Sequence, residues 1–87
     1  MADEHFKQDI HAMLKHVYFS DEDDLVDVSD GPDDSVHLVI VSRKFDGMRL
    51  KEKNDLVWKL LHANLPQAAW ERISLAVCTS PEEIKAS

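Results

Sequence analysis

Cysteine, glycine and long apolar runs are all scarce in this sequence, and each shortage narrows the class of protein. The lone cysteine, Cys78, cannot form an internal disulfide, which fits a reducing compartment. No apolar run approaches the roughly 20 residues that a membrane-spanning helix needs. The opening residues, MADEHFKQDI, are too acidic and polar for a secretory signal. We therefore expect one cytoplasmic domain over residues 1–87, with no membrane segment.

Recognisable catalytic and metal-binding patterns are missing as well. The chain has no Ser-His-Asp arrangement, no nucleotide-binding glycine motif and no CxxC pair. His11 and His16 are five residues apart, which is not the i, i+4 spacing of a helical zinc pair. Counting back from Gly31 as in an EF-hand places Val28 and Val26 where acids are required. We expect a protein that is not an enzyme and that holds no metal or cofactor.

Positive charge is scarce overall and unevenly placed. Ten Lys and Arg residues stand against seventeen acids, and the net charge of -7 argues against broad attraction to nucleic acid. Residues 20–34 contain eight acids and no base, and we expect them to form a solvated loop and strand edge. Half of the bases lie in a short segment: Arg43, Lys44, Arg49, Lys51 and Lys53. The sequence therefore predicts a locally basic surface on an acidic protein.

Apolar periodicity predicts an α+β domain. Helical spacing indicates long amphipathic helices over residues 3–18, with Asp3 as the N-cap, and over residues 50–65. Alternating or β-branched runs indicate strands over residues 24–29, 36–42 and 73–79. The second of these is the most apolar, so we expect it at or beside the centre of the sheet.

The remaining segments complete the predicted order α-β-β-α-α-β. Residues 67–71 predict a short helical turn, and a final short helix is expected after the third strand. In that strand Ile73, Leu75 and Val77 alternate with smaller residues, which predicts that these three form its buried set. The expected architecture is a three-stranded sheet with helices packed on one face.

One stretch carries a resemblance to a known family. The apolar strand is followed by Ser42, by Phe45-x-Gly47, by a basic and polar helix start and by Trp58. Together with a closing strand and Pro81, these residues resemble the BolA family of small class II KH-like proteins. The resemblance implies a non-enzymatic regulatory module that pairs with a monothiol glutaredoxin in iron–sulfur homeostasis.

The basic segment itself points to a partner. Its cations surround the first turn of a helix, where free N–H groups already carry partial positive charge, and each cation there costs about a few tenths of a kcal/mol. Gly47 is expected to reverse the chain and Phe45 to anchor the turn in the core. The predicted partner-binding residues are Arg43, Lys44, Phe45, Gly47, Arg49, Lys51 and Lys53. The alternative is a solvated turn with no partner.

The family's cluster ligands are replaced in this chain. The resemblance implies a histidine near the start of the last strand and a cysteine or histidine between the first two strands. Alignment on Thr79 places Glu71 at the histidine position, whereas alignment on Pro81 places Arg72 there; the strand alternation favours Glu71. The loop position falls at or near Asp34. Carboxylates suit hard ions better than iron–sulfur clusters, so we expect no bound cluster.

Two other functions remain open at this point. A KH-like transcriptional regulator would bind nucleic acid through the edge from Phe45 to Lys53. Gly47 stands alone where RNA-clamping KH domains have GxxG, and the net charge is adverse. A small acidic chaperone or adaptor would instead use exposed apolar sheet surface.

Overall fold

The computed structural model describes residues 3–86. These residues contain three strands, four α-helices and a short 3-10 helix. An α+β domain with a three-stranded sheet is thereby confirmed. None of the described helices is both long and apolar enough to cross a membrane. In chain order the elements are α1 (Glu4–Val17), β1 (Leu25–Asp30), β2 (Val36–Val41), a 3-10 helix (Arg43–Phe45), α2 (Leu50–Asn64), α3 (Gln67–Trp70), β3 (Ile73–Thr79) and α4 (Pro81–Ala86).

The most apolar strand lies at the centre of the sheet, as its composition predicts. β1 pairs with one side of β2 in antiparallel orientation, and β3 pairs with the other side in parallel orientation. The parallel pair requires a crossover, and α2 and α3 lie within it. Among the described strands, β1 and β3 are consequently the two edges.

The core lies between one face of the sheet and the two long helices. Val36, Leu38 and Ile40 of β2 are fully buried, because their side chains alternate toward that face. α1 packs against β1, and α2 packs against β3. Asp3 caps α1 as predicted, since its carboxylate accepts a hydrogen bond from the N–H of His5 at 3.1 Å. The opposite face of the sheet is not covered by a described helix, and it carries the exposed side chain of Leu25.

A β-bulge in β3 changes which of its side chains face the core. Val36 pairs with Ile73, but the next residue of β2 pairs with Leu75, so Ser74 is the extra residue. The bulge reverses the alternation after Ile73. Leu75 and Val77 are 48% and 41% exposed on the open face, whereas Cys78 is buried. The prediction that Leu75 and Val77 are buried is therefore wrong.

Candidate functional site

The predicted segment follows β2 and forms a tight turn at one end of the sheet. The N–H of Ser42 donates to the carbonyl of Thr79 at 3.0 Å, which extends the ladder between β2 and β3. Phe45 is fully buried, with its ring centroid 5.6 Å from that of Phe19. Gly47 has a φ of +77°, a backbone conformation that L side chains rarely adopt. Phe45 anchors the turn and Gly47 reverses the chain, as expected, but the buried Phe45 offers no surface to a partner.

Lys44 is bound within the domain by the acidic loop. Its ammonium lies 3.2 Å from a carboxylate oxygen of Asp21 and 3.2 Å from one of Asp24. The other oxygen of Asp24 accepts a hydrogen bond from the buried Ser42 hydroxyl at 2.6 Å. Asp24 is only 6% exposed, so the prediction that the acidic run is solvated is wrong at this residue. Asp24 joins the acidic loop to the start of the basic segment.

The buried network lowers the pKa of Asp24 below its ordinary value. Burial alone would raise this pKa, but the hydrogen bond from Ser42 and the ammonium of Lys44 outweigh that effect. A lowered folded-state pKa gives stability that is present above the unfolded pKa of about 3.9 and is lost as pH falls through the folded value. The carboxylate of Asp24 therefore stabilises the fold at neutral pH but not in strong acid.

We expect Asp24→Asn to lower the free energy of unfolding at pH 7 by about 1–3 kcal/mol, because the Lys44 and Ser42 contacts lose their charged acceptor. This difference in unfolding free energy should be smaller at pH 3, because below about pH 3.9 the unfolded parent chain binds a proton at Asp24 and part of the stability that the carboxylate provides is lost. Denaturant unfolding at both pH values measures this. Asp23→Asn, at an exposed position of the same loop, is the matched control and should change little at either pH. If the difference in unfolding free energy between the parent protein and Asp24→Asn were equally large at pH 3, the Asp24 carboxylate would not have the stabilising role described above.

Lys53 is buried and ion-paired. Its ammonium lies 2.8 Å from each carboxylate oxygen of Glu83 on α4, and the residue is 4% exposed. Lys53 precedes Val57 by one helical turn and Leu61 by two, so it occupies the buried stripe of α2. That spacing was visible in the sequence. The prediction of a surface cation at Lys53 is wrong, because this residue ties α4 to α2.

Three of the five cations remain exposed, and an exposed apolar residue lies between two of them in the chain. Arg43, Arg49 and Lys51 are exposed and form no ion pair with any residue among 3–86. Leu50, the first residue of α2, is 67% exposed between two of them. The N–H of Arg49 donates to the carboxylate of Glu52 at 2.9 Å, which satisfies a free donor at the helix start. These four residues, Arg43, Arg49, Leu50 and Lys51, are called the basic edge below.

Asp34 and Glu71, the positions at which the resemblance implies cluster ligands, lie at the opposite end of β2 from this segment. Asp34 precedes Val36 by two residues, Glu71 precedes Ile73 by two, and Val36 pairs with Ile73. The guanidinium of Arg72 donates to the carbonyl of Asp34 from two nitrogens, at 3.1 and 2.9 Å. The carboxylate of Glu71 accepts a hydrogen bond from the amide of Gln67 at 2.6 Å. The bonds from Arg72 to Asp34 thus close this end of the sheet, whereas the side chain of Glu71 makes a local contact with α3.

These donors do not fit an iron–sulfur cluster. No group of three or more His, Cys, Asp or Glu side chains within residues 3–86 is arranged to hold a metal ion. Asp34 and Glu71 supply carboxylates, whereas cluster irons are held by thiolate or imidazole. Cys78 lies toward the other end of β3, and burial raises the pKa of its thiol to about 11. It is therefore protonated at neutral pH and directed into the core.

Comparisons with protein-family models, with curated proteins and with solved structures find no match to this chain. The function is therefore inferred from the contacts, burial and charges of its own residues.

Proposed function

We propose that this protein is a non-enzymatic interaction module of the BolA-like, class II KH-like kind, and that it binds a protein partner through the basic edge. The observation that carries the proposal is the exposed Leu50, which lies in the chain between Arg49 and Lys51; these two cations and Arg43 form no ion pair within residues 3–86. The resemblance at Ser42, Phe45 and Gly47 makes a monothiol glutaredoxin the first partner to test. The roles of Phe45 in the core and of Gly47 in the turn support the same assignment.

The chemistry of the basic edge describes what a partner must offer. An exposed leucine loses its contact with water when a partner covers it, which contributes roughly 1.5–3 kcal/mol if burial is complete. The guanidinium groups of Arg43 and Arg49 and the ammonium of Lys51 attract carboxylates and reject other cations. An apolar centre with a charged rim is the usual arrangement of a protein interface. The fitting partner surface is an apolar depression bordered by acids.

The proposed complex does not use the family's shared iron–sulfur cluster. Asp34 and Glu71 stand at the two ligand positions, and Arg72 donates to the carbonyl of Asp34. We expect the complex to depend on the basic edge and to form equally well with a cluster-free partner.

Nucleic-acid binding is the second candidate. Arg43, Arg49 and Lys51 are the cations that remain available on this segment, since Lys44 and Lys53 are ion-paired within the domain. Three phosphate contacts would give a slope no steeper than about -3 in a plot of log affinity against log salt. The third candidate, a chaperone or adaptor, draws support from the exposed Leu75 and Val77 on the open sheet face.

We expect Arg49→Glu combined with Lys51→Glu to slow association with a purified monothiol glutaredoxin about tenfold at low salt, because rim charges act mainly on the association rate. The difference should shrink at high salt. Unfolding free energy should change within about 0.5 kcal/mol, since both side chains are exposed. Stopped-flow association at low and high salt, with a denaturation curve for each protein, measures the effect.

Matched controls separate a specific surface from overall charge. Lys59→Glu with Lys85→Glu makes the same change in net charge at exposed positions outside the basic edge, and should slow association much less. Leu50→Ser should speed dissociation at both salt concentrations, because the lost contact is apolar. Equal rates for the parent protein and the double Arg49/Lys51 variant at low salt would overturn the proposal. Binding of nucleic acid in place of glutaredoxin would favour the second candidate.

A further inference from the structure

The open face of the sheet, opposite the two long helices, has an apolar pattern of its own. Side chains alternate along each strand, and the register shows which of them point outward. The outward positions are Leu25, Asp27 and Ser29 of β1, His37, Val39 and Val41 of β2, and Leu75, Val77 and Thr79 of β3. Leu25, Leu75 and Val77 are exposed, and Val39 and Val41 are half-buried. More than half of the outward side chains are therefore apolar and at least partly accessible to a partner.

These apolar side chains form one diagonal band across the three strands. Leu25 pairs with Val41, and Val39 pairs with Val77. Val39 and Val41 are neighbours on the outward side of β2, as Leu75 and Val77 are on β3. Each member of this apolar band, as it is called below, therefore lies beside the next one. The polar positions stand on its two sides: Thr79 on one, and Asp27, Ser29 and His37 on the other.

The size of the apolar band fits one α-helix. With about 4.8 Å between strands and about 3.3 Å per residue along them, the band is about 16 Å long. A helix rises about 5.4 Å per turn, so about three turns cover the band. The backbone groups of β2 already bond to β1 and β3, so a partner on this face contacts side chains and does not pair as a strand. The apolar stripe of an amphipathic helix is such a surface.

Charge narrows the chemistry of that helix. Asp27 is the one Asp, Glu, Lys or Arg among the outward positions of the described strands, and it is exposed. Its carboxylate forms no ion pair with any residue among 3–86. A Lys or Arg beside the apolar stripe of the helix would supply that pair. The net charge of -7 also attracts a basic helix from a distance.

A second copy of this chain fits the open face less well. Two chains that each carry a net charge of -7 repel one another. The outward positions span about 300 Å² of sheet, so two facing copies would bury about 600 Å², about half of what a stable dimer needs. The favoured occupant is therefore a basic helix of another protein.

We propose that the open sheet face is a second binding site and that it takes an amphipathic helix of a protein partner, with Lys or Arg beside its apolar stripe. The apolar side chains of the helix lie along the apolar band, and its basic flank faces Asp27. The helix would cover the second face of the parallel pair β2 and β3, and parallel strands are usually covered on both faces. This site does not depend on the proposed glutaredoxin contact, because it uses none of the residues of the basic edge.

A synthetic helical peptide of about 18 residues, with leucines at i, i+3, i+4 and i+7 spacing and lysines beside them, is the probe. Titration of the isotope-labelled protein should shift the methyl and amide signals of Val39, Leu75 and Val77 most. A scrambled peptide of the same composition should bind at least tenfold more weakly, because it has no apolar stripe. The striped peptide with glutamate in place of each lysine should bind at least fivefold more weakly than the lysine peptide.

Two variants test the site from the protein side. Leu75→Ser should weaken binding of the lysine peptide at least fivefold, and Asp27→Lys should reverse the preference, so that the glutamate peptide binds more tightly. Asp55→Lys makes the same change in net charge at an exposed position of α2, on the other side of the sheet, and should keep the preference for lysine. Leu50→Ser, on the basic edge, should leave binding of the lysine peptide unchanged.

The peptide series on the unchanged protein gives the same information if a variant fails to fold. Equal binding of the scrambled peptide would overturn the proposal in favour of unselective apolar binding. Shifts centred on the helices, no binding of the lysine peptide, or an unchanged preference in Asp27→Lys would also overturn it. Self-association of the free protein through the apolar band would favour a second copy instead, and binding of phosphatidylcholine vesicles through the same residues would favour a lipid surface.

Discussion

Phe45→Ala should lower the free energy of unfolding by about 3–5 kcal/mol, because a fully buried aromatic ring is lost and the cavity left behind closes only in part. The ring packs against Phe19, with 5.6 Å between the ring centroids, and both residues belong to the main core. A domain of this size has a total stability of roughly 4–13 kcal/mol, so the variant will be close to unfolding at ordinary temperature. Denaturant unfolding followed by fluorescence or circular dichroism measures the loss.

The size of this effect shows whether Phe45 supports the core or instead contacts a partner. Phe45→Leu keeps most of the apolar volume and should cost much less, with partner binding retained. Leu50→Ala is the matched control at an exposed position of the same segment, and should change stability by less than about 1 kcal/mol. A Phe45→Ala variant as stable as the parent protein would mean that the ring does not support the core in solution.

The elements of the fold could be predicted because each has a clear apolar period. The β-branched run of β2 predicted the central strand, and the helical spacing predicted α1 and α2. The inward face of β3 could not be predicted, because Ser74 carries no signal that it is the extra residue of a bulge. Alternation of apolar residues along a strand shows which side chains face the core only while no bulge interrupts the pairing with the next strand.

The basic segment was predictable as a charge pattern, but its exposed members were not. The contacts of Lys44 with Asp21 and Asp24 join residues at least twenty positions apart in the chain, so local sequence does not indicate them. The burial of Lys53 did have a local signal, because it continues the stripe of Val57 and Leu61. Whether a lysine lies on the buried apolar stripe of a helix therefore indicates its exposure to solvent better than its residue type does.

Lys53→Glu should lower the free energy of unfolding by about 2–4 kcal/mol, because breaking a buried ion pair leaves a charge without its partner. The new carboxylate would stand at a position that is 4% exposed, facing Glu83 on α4. The side chain of Glu83 is 46% exposed and can turn to water, which keeps the expected loss below that of a fully enclosed pair. Denaturant unfolding measures the loss, and amide exchange should show that α4 is released first.

A charge exchange provides the decisive comparison. Lys53→Glu combined with Glu83→Lys restores opposite charges between α2 and α4, and should recover part of the stability that Lys53→Glu loses. Lys53→Met retains the apolar stem and should cost much less than the charge reversal, because no anion is left in the buried position. Lys51→Glu, two residues away and exposed, should change stability within about 0.5 kcal/mol. If Lys53→Glu proved as mild as Lys51→Glu, the pair with Glu83 would not hold α4 in solution, and Lys53 would again be available to a partner on the basic edge.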